Sequence, residues 1–548
     1  MKPLINIKIA VLIFIIMIVS SLPSFAWFSD PKINSHVAPI ASNQIDHQAV
    51  PDGEGGAIIV WAEKMSGSVV EFDIYAQRID HHGDPVWSSA VSICSAPDYQ
   101  GSPRMISDGL GGAIITWHDS RGGYNDQFSN FDIYAQRISS DGQSIWQADG
   151  VEISTAPEYA VFPFIAPDGF GGAIIAWDDG RSGNSQDYAQ RVNKDGQVMW
   201  QADGVIVADT PDGQSDVDVA ADGFGGAFVV WNDYRSLQTM DTYIQRFDAN
   251  GNRLWGVTGI PVAVEIEDQF NPHVISDGAG GAIIAWTDGR AGNGDYDIYA
   301  QRLDPAGDVL WATNGIPVTD SIPGGQVWNA IVEDNAGGVI IVWEDGRKEN
   351  GDTDIYTQRL TADGVPLWTA GGVAVASSDE VQIRPKLHSD GAGGSFIVWQ
   401  DFYRGGTSWN IYAQHVDASG LTKWKSDGVP VSTADDMQSD PLIISDGLGG
   451  SIVVWFDNRS GTYFNIYAQQ VDRLGLLGGG EFKFYTADTS GQPKTVFEPG
   501  ELILFKTFWT VTAPLSVGSY IAESAMVINS STDFRSDAET YDVTNGGL

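Results

Sequence analysis

Apolar runs that end in tryptophan alternate with polar turns along most of the chain. Each run follows a glycine-rich turn, as in DGLGGAIITWHDSRGG from Asp108, and the runs recur every 54 to 60 residues. The eight copies end at Trp61, Trp117, Trp177, Trp231, Trp286, Trp343, Trp399 and Trp455. A repeat of this length indicates one supersecondary unit that is copied many times.

Four short strands fit one unit. Residues 268–318 read DQFNPHVISDGAGGAIIAWTDGRAGNGDYDIYAQRLDPAGDVLWATNGIPV, and the predicted strands are HVIS, GAIIAW, DIYAQRL and GIPV. Glycines in the first turn supply the positive φ angles of a hairpin. Eight such units predict an all-β fold, an eight-bladed β-propeller of four-stranded blades. Helical solenoids are excluded because no segment has an apolar stripe of helical spacing.

The two ends of the repeat complement each other. The eighth copy stops after its third strand, NIYAQQVD, whereas HVAPIAS at residues 36–42 matches the fourth-strand segment GVPVSTA that begins at Gly428. We therefore expect the N-terminal strand to complete the last blade, which leaves no open sheet edge there. The propeller then spans residues 34–476.

The repeat also resembles a known family. SDGLGGAIITWHDSRGG followed by DIYAQRISSDG is similar to the TolB-type, WD-repeat-like propeller motif, over roughly residues 36–475. The units are longer here, and tryptophan closes the second strand throughout. The resemblance implies a bacterial, exported propeller. Such families mostly bind proteins or ligands, while relatives carry catalytic domains on the same scaffold.

Export is also predicted from the first residues. Residues 1–26 form a signal peptide, with an apolar run from Ile9 to Val19 and cleavage expected after Ala26. No later segment could cross a membrane, and the single cysteine, Cys94, excludes an intrachain disulfide. The formal net charge of −41 excludes nucleic acid as a partner. We expect a secreted, periplasmic or cell-surface protein.

Composition changes after GLLGGG. Residues 481–548 contain longer β-type stretches such as VFEPGELILF and GSYIAESAMVI. They predict a small immunoglobulin-like β-sandwich, which is short for such a domain and is either incomplete or completed by a partner.

Charged residues recur at fixed positions of the unit. An acid stands two residues after each second-strand tryptophan, and arginine follows two further on in six copies, from Arg121 to Arg459. A feature present in nearly every blade favours architecture, so we expect an Asp–Arg–Asp network rather than an anion site. The glycine-rich turn opens no helix, which excludes a phosphate-binding loop.

Two variable loops carry several oxygen ligands of the kind that calcium prefers. The candidate residues are Asp288, Asn293, Asp295 and Asp297 in the fifth copy and Asp345, Asn350, Asp352 and Asp354 in the sixth. Arg290 and Arg347 can neutralise the same carboxylates. We therefore expect arginine-paired turns, with calcium as the alternative and no other cofactor.

Positions that differ in every copy are where a specific function can be encoded. Two such positions lie six and four residues before the turn aspartate, and their side chains differ in every blade. Strand alternation predicts that both positions lie on one face. The candidate binding residues are Trp328, Arg384, Lys386 and His273 at these positions, and Trp409 and Arg404 in the seventh variable loop. They suit an anionic, planar or sugar ligand. The alternative is a water-filled channel whose lining is merely tolerated.

No HExxH, GxSxG or CxxC motif occurs in the chain. We therefore expect no enzyme, and instead a recognition or scaffolding module for a protein or glycan ligand. The alternatives are a propeller glycosidase or polysaccharide lyase, and a purely structural cell-surface component. The sequence leaves the oligomeric state open.

Overall fold

The computed structural model describes residues 27–65, 71–123, 130–236, 239–292, 294–319, 322–348, 351–402, 404 and 408–478, and the backbone of three strands within 481–527. These residues form strands and turns without an α-helix, which confirms the all-β prediction. Accordingly, the described residues contain no helix long and apolar enough to cross a membrane. Eight sheets have four strands each, and a ninth has three.

Each blade is an antiparallel sheet, and in blades 1 to 7 its four strands lie in chain order. The first strands are β2 (Gln44–Pro51), β6 (Gln100–Ser107), β10 (Ala160–Pro167), β14 (Gln214–Ala221), β18 (Gln269–Ser276), β22 (Gln326–Glu333), β26 (Gln382–Ser389) and β30 (Gln438–Ser445). The second strands are β3 (Ala57–Lys64), β7 (Ala113–Asp119), β11 (Ala173–Asp179), β15 (Ala227–Asp233), β19 (Ala282–Asp288), β23 (Val339–Asp345), β27 (Ser395–Phe402) and β31 (Ser451–Asp457).

The outer half of each blade is completed by two further strands. The third strands are β4 (Phe72–Ile79), β8 (Asp132–Ile138), β12 (Gln186–Val192), β16 (Asp241–Phe247), β20 (Asp297–Leu303), β24 (Asp354–Leu360), β28 (Trp409–Val416) and β32 (Asn465–Val471). The fourth strands are β5 (Val91–Cys94), β9 (Val151–Ser154), β13 (Val205–Ile206), β17 (Ile260–Ala263), β21 (Ile316–Pro317), β25 (Val373–Ala376), β29 (Val429–Ser432) and, for blade 8, β1 (Ser35–His36).

The glycine-rich turn between the first and second strands is held by its own aspartate. In blade 2, the Asp108 carboxylate accepts hydrogen bonds of 2.8 Å from the backbone N–H groups of Leu110 and Gly112. Gly109 and Gly111 adopt φ angles of 74° and 83°, which glycine reaches without a Cβ clash. The motif is a β-hairpin turn.

The blades form a closed ring. The first strands contact one another in order around the molecule, and β30 of blade 8 contacts β2 of blade 1. Strand β1 pairs antiparallel with β32, with Ser35 opposite Ala468 and His36 opposite Tyr467. The predicted eight-bladed propeller with an N-terminal closing strand is therefore confirmed, although that strand is shorter than the segment HVAPIAS.

Hydrophobic packing lies between neighbouring blades. All eight second-strand tryptophans are 0% exposed. Trp117 of blade 2 belongs to one cluster with Ile58 and Trp87 of blade 1. Because both faces of a blade are covered by its neighbours, the second strands read as continuous apolar runs rather than alternating ones.

Polar contacts tie each blade to the next at the end that carries the glycine-rich turns, which we call the turn end. In blade 1, the Arg78 side chain binds Asp52 at 2.9 Å and donates to the Ser140 carbonyl of blade 2 at 3.1 Å. The indole N–H of Trp87 donates to the same carbonyl at 3.1 Å. This paired donation recurs in blades 2 to 6.

Trp27 completes this set of contacts where blade 8 meets blade 1. Its indole N–H donates to the His81 carbonyl of blade 1 at 2.9 Å. The Gln469 side chain of blade 8 donates to the Phe28 carbonyl at 2.8 Å, as its counterpart does within blade 2. The ring therefore closes through a tryptophan as well as a strand, a role that the sequence analysis did not assign to Trp27.

Beyond the propeller, β33 (Glu481–Ala487), β34 (Leu502–Thr510) and β35 (Tyr520–Val527) form one antiparallel sheet in this order. Most other residues of the predicted immunoglobulin-like domain, and the predicted signal peptide at residues 1–26, lie outside the described residues. Both stay predictions.

Candidate functional site

The first strands begin around the opening of the central channel opposite the turn end, which we call the mouth. A β-bulge interrupts each first strand there, as between Val327 and Ala330 in blade 6. One residue per bulge adopts a left-handed φ of 48° to 57°. The eight bulge residues are Asp46, Ser102, Phe162, Asp216, Asn271, Trp328, Arg384 and Asp440.

No bulge residue is glycine, although its backbone conformation costs energy for any residue with a Cβ atom. Bulges of this kind re-aim side chains. The extra residue also interrupts strand alternation, so the assumption that the two variable positions share a face by a period of two was wrong. The bulge itself decides where these side chains lie.

Groups at the mouth bind the adjacent blade. The Arg384 guanidinium of blade 7 contacts the Asp440 carboxylate of blade 8. The Ser102 N–H of blade 2 donates to the Asp46 carboxylate of blade 1 at 3.3 Å. Because these contacts join neighbouring blades, ring closure determines the geometry of the mouth.

A further ring of side chains, which we call the mouth ring, consists of the residues that directly follow the second-strand tryptophans. Its members are Ala62, His118, Asp178, Asn232, Thr287, Glu344, Gln400 and Phe456. Three of them, in blades 2, 6 and 7, accept a hydrogen bond from the bulge N–H of the next blade. Asp178 and Glu344 are the two acids among these eight residues.

Glu344 is a buried carboxyl group beside two cations. Its Oε1 accepts a hydrogen bond of 2.7 Å from the Arg384 backbone N–H. Burial raises the pKa of Glu344 to about 7, and this hydrogen bond and the positive charges of Arg384 and Lys386 oppose the rise. A carboxyl group with such a pKa can exchange a proton near neutral pH.

Asp178 is paired with a second carboxyl group, because Asp187 lies directly opposite it on the third strand. Asp187 is fully buried, and no N–H or hydroxyl donor in the described part of the chain contacts its carboxyl oxygens. Two adjacent carboxyl groups in such a place must share a proton.

The pKa of both groups is raised. Burial raises the pKa of Asp178 to about 7, while a hydrogen bond with Asp187 opposes the rise. Burial, and then the charge of Asp178, raise the pKa of Asp187 well above its usual range. The pair therefore holds one proton between its two carboxyl groups.

Side chains four residues before the turn aspartate meet inside the channel. His273 Nδ1 of blade 5 lies 3.2 Å from Asp218 Oδ2 of blade 4. The Arg104 guanidinium of blade 2 lies 5.0 Å from the ring centre of Phe164 in blade 3. Lys386 of blade 7 occupies the same strand position, and the charges of Arg104 and Asp218 both act on its pKa.

The recurring acids, in contrast, belong to the frame of each blade. Asp119 Oδ2 accepts the indole N–H of Trp117 at 2.9 Å, and Arg121 binds both carboxylate oxygens, at 3.0 and 2.6 Å. The Arg121 guanidinium covers the Tyr134 ring at 3.6 Å. The same pairing with aspartate and tyrosine recurs at Arg181, Arg235, Arg290, Arg347 and Arg459.

The predicted third member of this network is placed differently. Asp132, which opens the third strand, lies opposite Asp119. Burial and the charge of Asp119 raise the pKa of Asp132 to about 7, with Arg121 opposing the rise. The frame unit is thus a Trp–Asp–Arg–Tyr arrangement with a second acid beside it.

Trp409 and Arg404 lie in the loop between the second and third strands of blade 7. Arg404 lies 3.5 Å from the Asp401 carboxylate and covers the Tyr412 ring at 4.4 Å, so it takes the frame position of blade 7. Trp409 packs on Phe402, with ring centres 4.5 Å apart. These contacts are structural, and the binding role of both residues stays a prediction.

The two predicted calcium loops are only partly described. The Asp288 and Asp345 carboxylates bind Arg290 and Arg347 at 2.6 and 2.5 Å. Asn293 and Asn350 lie outside the described residues. Across the described ranges, no group of three or more His, Cys, Asp or Glu side chains could hold a metal. Calcium at these loops stays a prediction.

The structure places four predicted binding residues at the mouth or in the channel: Trp328, Arg384, Lys386 and His273. The sequence analysis did not single out Asp178, Asp187 or Glu344. A signal for Asp187 was present, since six other blades carry isoleucine at its position and blade 4 carries Thr242. A charge at a position that is uncharged in the other seven blades marks a side chain that the frame does not require.

No protein-family model and no curated protein matches the chain. Among solved structures, an ulvan lyase of a polysaccharide lyase family, bound to -[GlcA(1-4)Rha3S]-, is 12% identical with a TM-score of 0.41, covering 70% of this chain and 96% of that one. A Hadza microbial sialidase is 12% identical with a TM-score of 0.34, covering 61% and 71%. A Penicillium chrysogenum α-L-arabinanase, complexed with arabinobiose, is 13% identical with a TM-score of 0.30, covering 60% and 98%.

Likeness at this identity concerns the fold alone. The neighbours nevertheless contradict the prediction that the protein is not an enzyme, because all three are named as enzymes, and we correct that prediction. The TolB-type resemblance is confirmed only for the propeller fold, since no family model supports membership.

Proposed function

We propose that this protein is an exported enzyme that cleaves glycosidic bonds in a polysaccharide bound at the mouth. One observation carries the proposal: Asp178 and Glu344, the two acids of the mouth ring, are largely buried and form no ion pair within the described residues, and burial raises the pKa of both. Each shares its blade with an exposed aromatic bulge residue, Phe162 in blade 3 and Trp328 in blade 6, which are 50% and 56% exposed. The other six bulge residues are polar.

The frame does not account for these carboxyl groups. Six blades fold with an uncharged residue or a histidine at the mouth-ring position. A buried carboxyl group without a direct ion pair costs free energy, whether it is ionised or held protonated away from its usual pKa. Groups kept in such surroundings are candidates for proton transfer.

The two centres supply what glycosidic cleavage needs, which is one group that protonates the leaving oxygen and one that accepts a proton. Arg384 holds one oxygen of Glu344, which leaves the other oxygen for the substrate. Asp178 can pass a proton to and from Asp187. Phe162 and Trp328 can stack on sugar rings, since aromatic faces pack well against them. Export rests on the predicted signal peptide at residues 1–26.

The test is turnover of a panel of neutral and acidic polysaccharides by the full chain. New reducing ends report hydrolysis, and absorbance of unsaturated products reports elimination. Glu344→Gln and Asp178→Asn each keep the shape of the side chain and remove its proton exchange. We expect each to lower kcat by about 100-fold or more.

Glu333→Gln is the matched control, since Glu333 is an exposed glutamate of the same blade, at the turn end of its first strand. It should leave turnover unchanged. Full activity in Glu344→Gln and Asp178→Asn would overturn the proposal. So would a wild-type protein that binds polysaccharides of the panel without cleaving any of them.

A further inference from the structure

Two cations project into the channel without the partners that other arginines of this protein have. Arg104 and Lys386 stand at the same position of the first strands of blades 2 and 7. Arg104 donates to its neighbouring Pro103 carbonyl at 3.3 Å and lies over the Phe164 ring. Within the described residues, no carboxylate forms an ion pair with Arg104 or Lys386, whereas the frame arginines bind aspartate directly.

The acids closest to these cations are engaged elsewhere. Asp218 accepts hydrogen bonds from the Val274 N–H and lies against His273. Glu344 accepts the Arg384 N–H. Arg384 itself is in contact with Asp440. Arg104 and Lys386 are therefore cations without a direct ion pair, and Asp46, Asp218 and Glu344 offset their charges only from a distance.

Two positive side chains in one channel repel each other when no anion is bound. Lys386 is exposed to solvent, and Arg104 is half-buried. Burial and the positive charges of Arg104 and Arg384 lower the pKa of Lys386, while Asp218 and Glu344 oppose this. Burial also lowers the pKa of Arg104, against the charges of Asp46 and Asp218. A bound anion would relieve both costs.

We infer that Arg104 and Lys386 form an anion subsite in the channel, which takes a carboxylate or sulfate group of an acidic polysaccharide. This inference rests on the proposed function, whose carboxyl groups and exposed aromatic residues lie at the entrance to the same channel. It restricts the substrate to chains that carry acidic groups.

The experiment measures binding rather than turnover, with polygalacturonate, dextran sulfate and uncharged dextran as probes. Titration calorimetry of the full chain should detect one or both acidic polymers and not dextran. The acidic polymer that binds distinguishes a carboxylate subsite from a sulfate subsite. Lys386→Met and Arg104→Met should each weaken that binding about 10-fold or more, and added salt should weaken it further.

Lys194→Met is the matched control, because Lys194 is an exposed lysine paired only with Asp195, between the third and fourth strands of blade 3. The Lys194→Met variant should bind the acidic polymer as tightly as the wild type does. Lys386→Met should also raise the melting temperature or leave it unchanged, since it removes one of two like charges. This readout separates loss of binding from loss of the fold.

Equal binding of dextran and the acidic polymers, or unchanged acidic binding in the Arg104→Met and Lys386→Met double variant, would overturn the inference. Acidic binding without turnover would leave this inference standing and overturn the proposed function. Cleavage of neutral polysaccharides without any binding of acidic polymers would overturn this inference and leave the proposed function standing.

Discussion

The frame and the mouth use the same charged residue types in opposite surroundings. In the frame, both carboxylate oxygens of Asp119 are occupied, by the Trp117 indole N–H and by Arg121. At the mouth, Glu344 accepts one backbone N–H and has a pKa of about 7. Cations differ in the same way, because Arg121 binds a carboxylate and Arg104 does not.

The difference separates architecture from candidate function. Every blade needs its frame, so frame residues recur, and a recurring charge brings its partner with it. A blade-specific charge has no partner supplied by the repeat. It persists at a cost in stability, which is the usual relation between an active site and the fold that carries it.

The largest effect should come from opening the ring. Trp27→Ala removes a buried ring and its hydrogen bond to His81, where blade 8 meets blade 1. We expect the free energy of unfolding to fall by about 3–5 kcal/mol. Urea denaturation followed by tryptophan fluorescence measures it. Trp409→Ala, at a half-buried tryptophan outside the ring contacts, should cost clearly less; equal losses would contradict a special role for Trp27.

The second-largest loss of stability should come from breaking one Asp–Arg pair of the frame. Asp119→Ala leaves Arg121 and the Trp117 indole without their shared acceptor. Because removal of one partner leaves a partly buried charge uncompensated, we expect a loss of about 3 kcal/mol. Thermal unfolding should show it at every pH from 5 to 8. A loss that disappears in 1 M salt would indicate a solvent-screened pair and contradict this account.

The smallest and most diagnostic effect should be a gain in stability rather than a loss. The pKa of Glu344 rises from 4.5 to about 7 on folding, so between these pH values the folded protein holds a proton that the unfolded chain has released. Stability from this group therefore falls as pH rises from 4.5 to 7 and then stays level. The full displacement corresponds to roughly 3 kcal/mol, and water in the channel should reduce it to about 2.

Glu344→Gln removes this dependence. The variant should match the wild type in stability near pH 4.5 and be more stable by about 2 kcal/mol at pH 8, where melting temperatures compare them. Glu333→Gln should behave as the wild type at both pH values. A Glu344→Gln variant that is less stable than the wild type at pH 8 would place Glu344 in the frame.

Sequence reasoning reached the blade and the ring because their determinants are local. The turn at Asp108, the apolar run to Trp117 and the alternating third strand each lie within about ten residues. Eight copies made the pattern unambiguous, and the unfinished last copy indicated closure. The closing role of Trp27 was missed because it repeats only one element of the unit, far from the others in sequence.

The candidate site was reached only in part. Trp328, Arg384, Lys386 and His273 were found because they vary where the repeat is otherwise constant. Asp178 and Glu344 were not found, because each stands directly before the recurring acid of its blade and cannot be told from it by charge. The face of the strand that each of two adjacent acids occupies decides which one forms an ion pair with arginine and which one forms none.

The sequence by itself determined the strands, the hairpin turns, the number of blades and the strand that closes them, because these follow from short-range patterning repeated many times. The tertiary structure alone decided which charges remain unpaired. The charges of Arg104 and Asp218 act on Lys386 only because the ring brings blades 2, 4 and 7 around one channel. The left-handed bulges decide where each mouth residue is aimed. Pairing and burial set the pKa of a charged group, and both arise from contacts between distant parts of the chain.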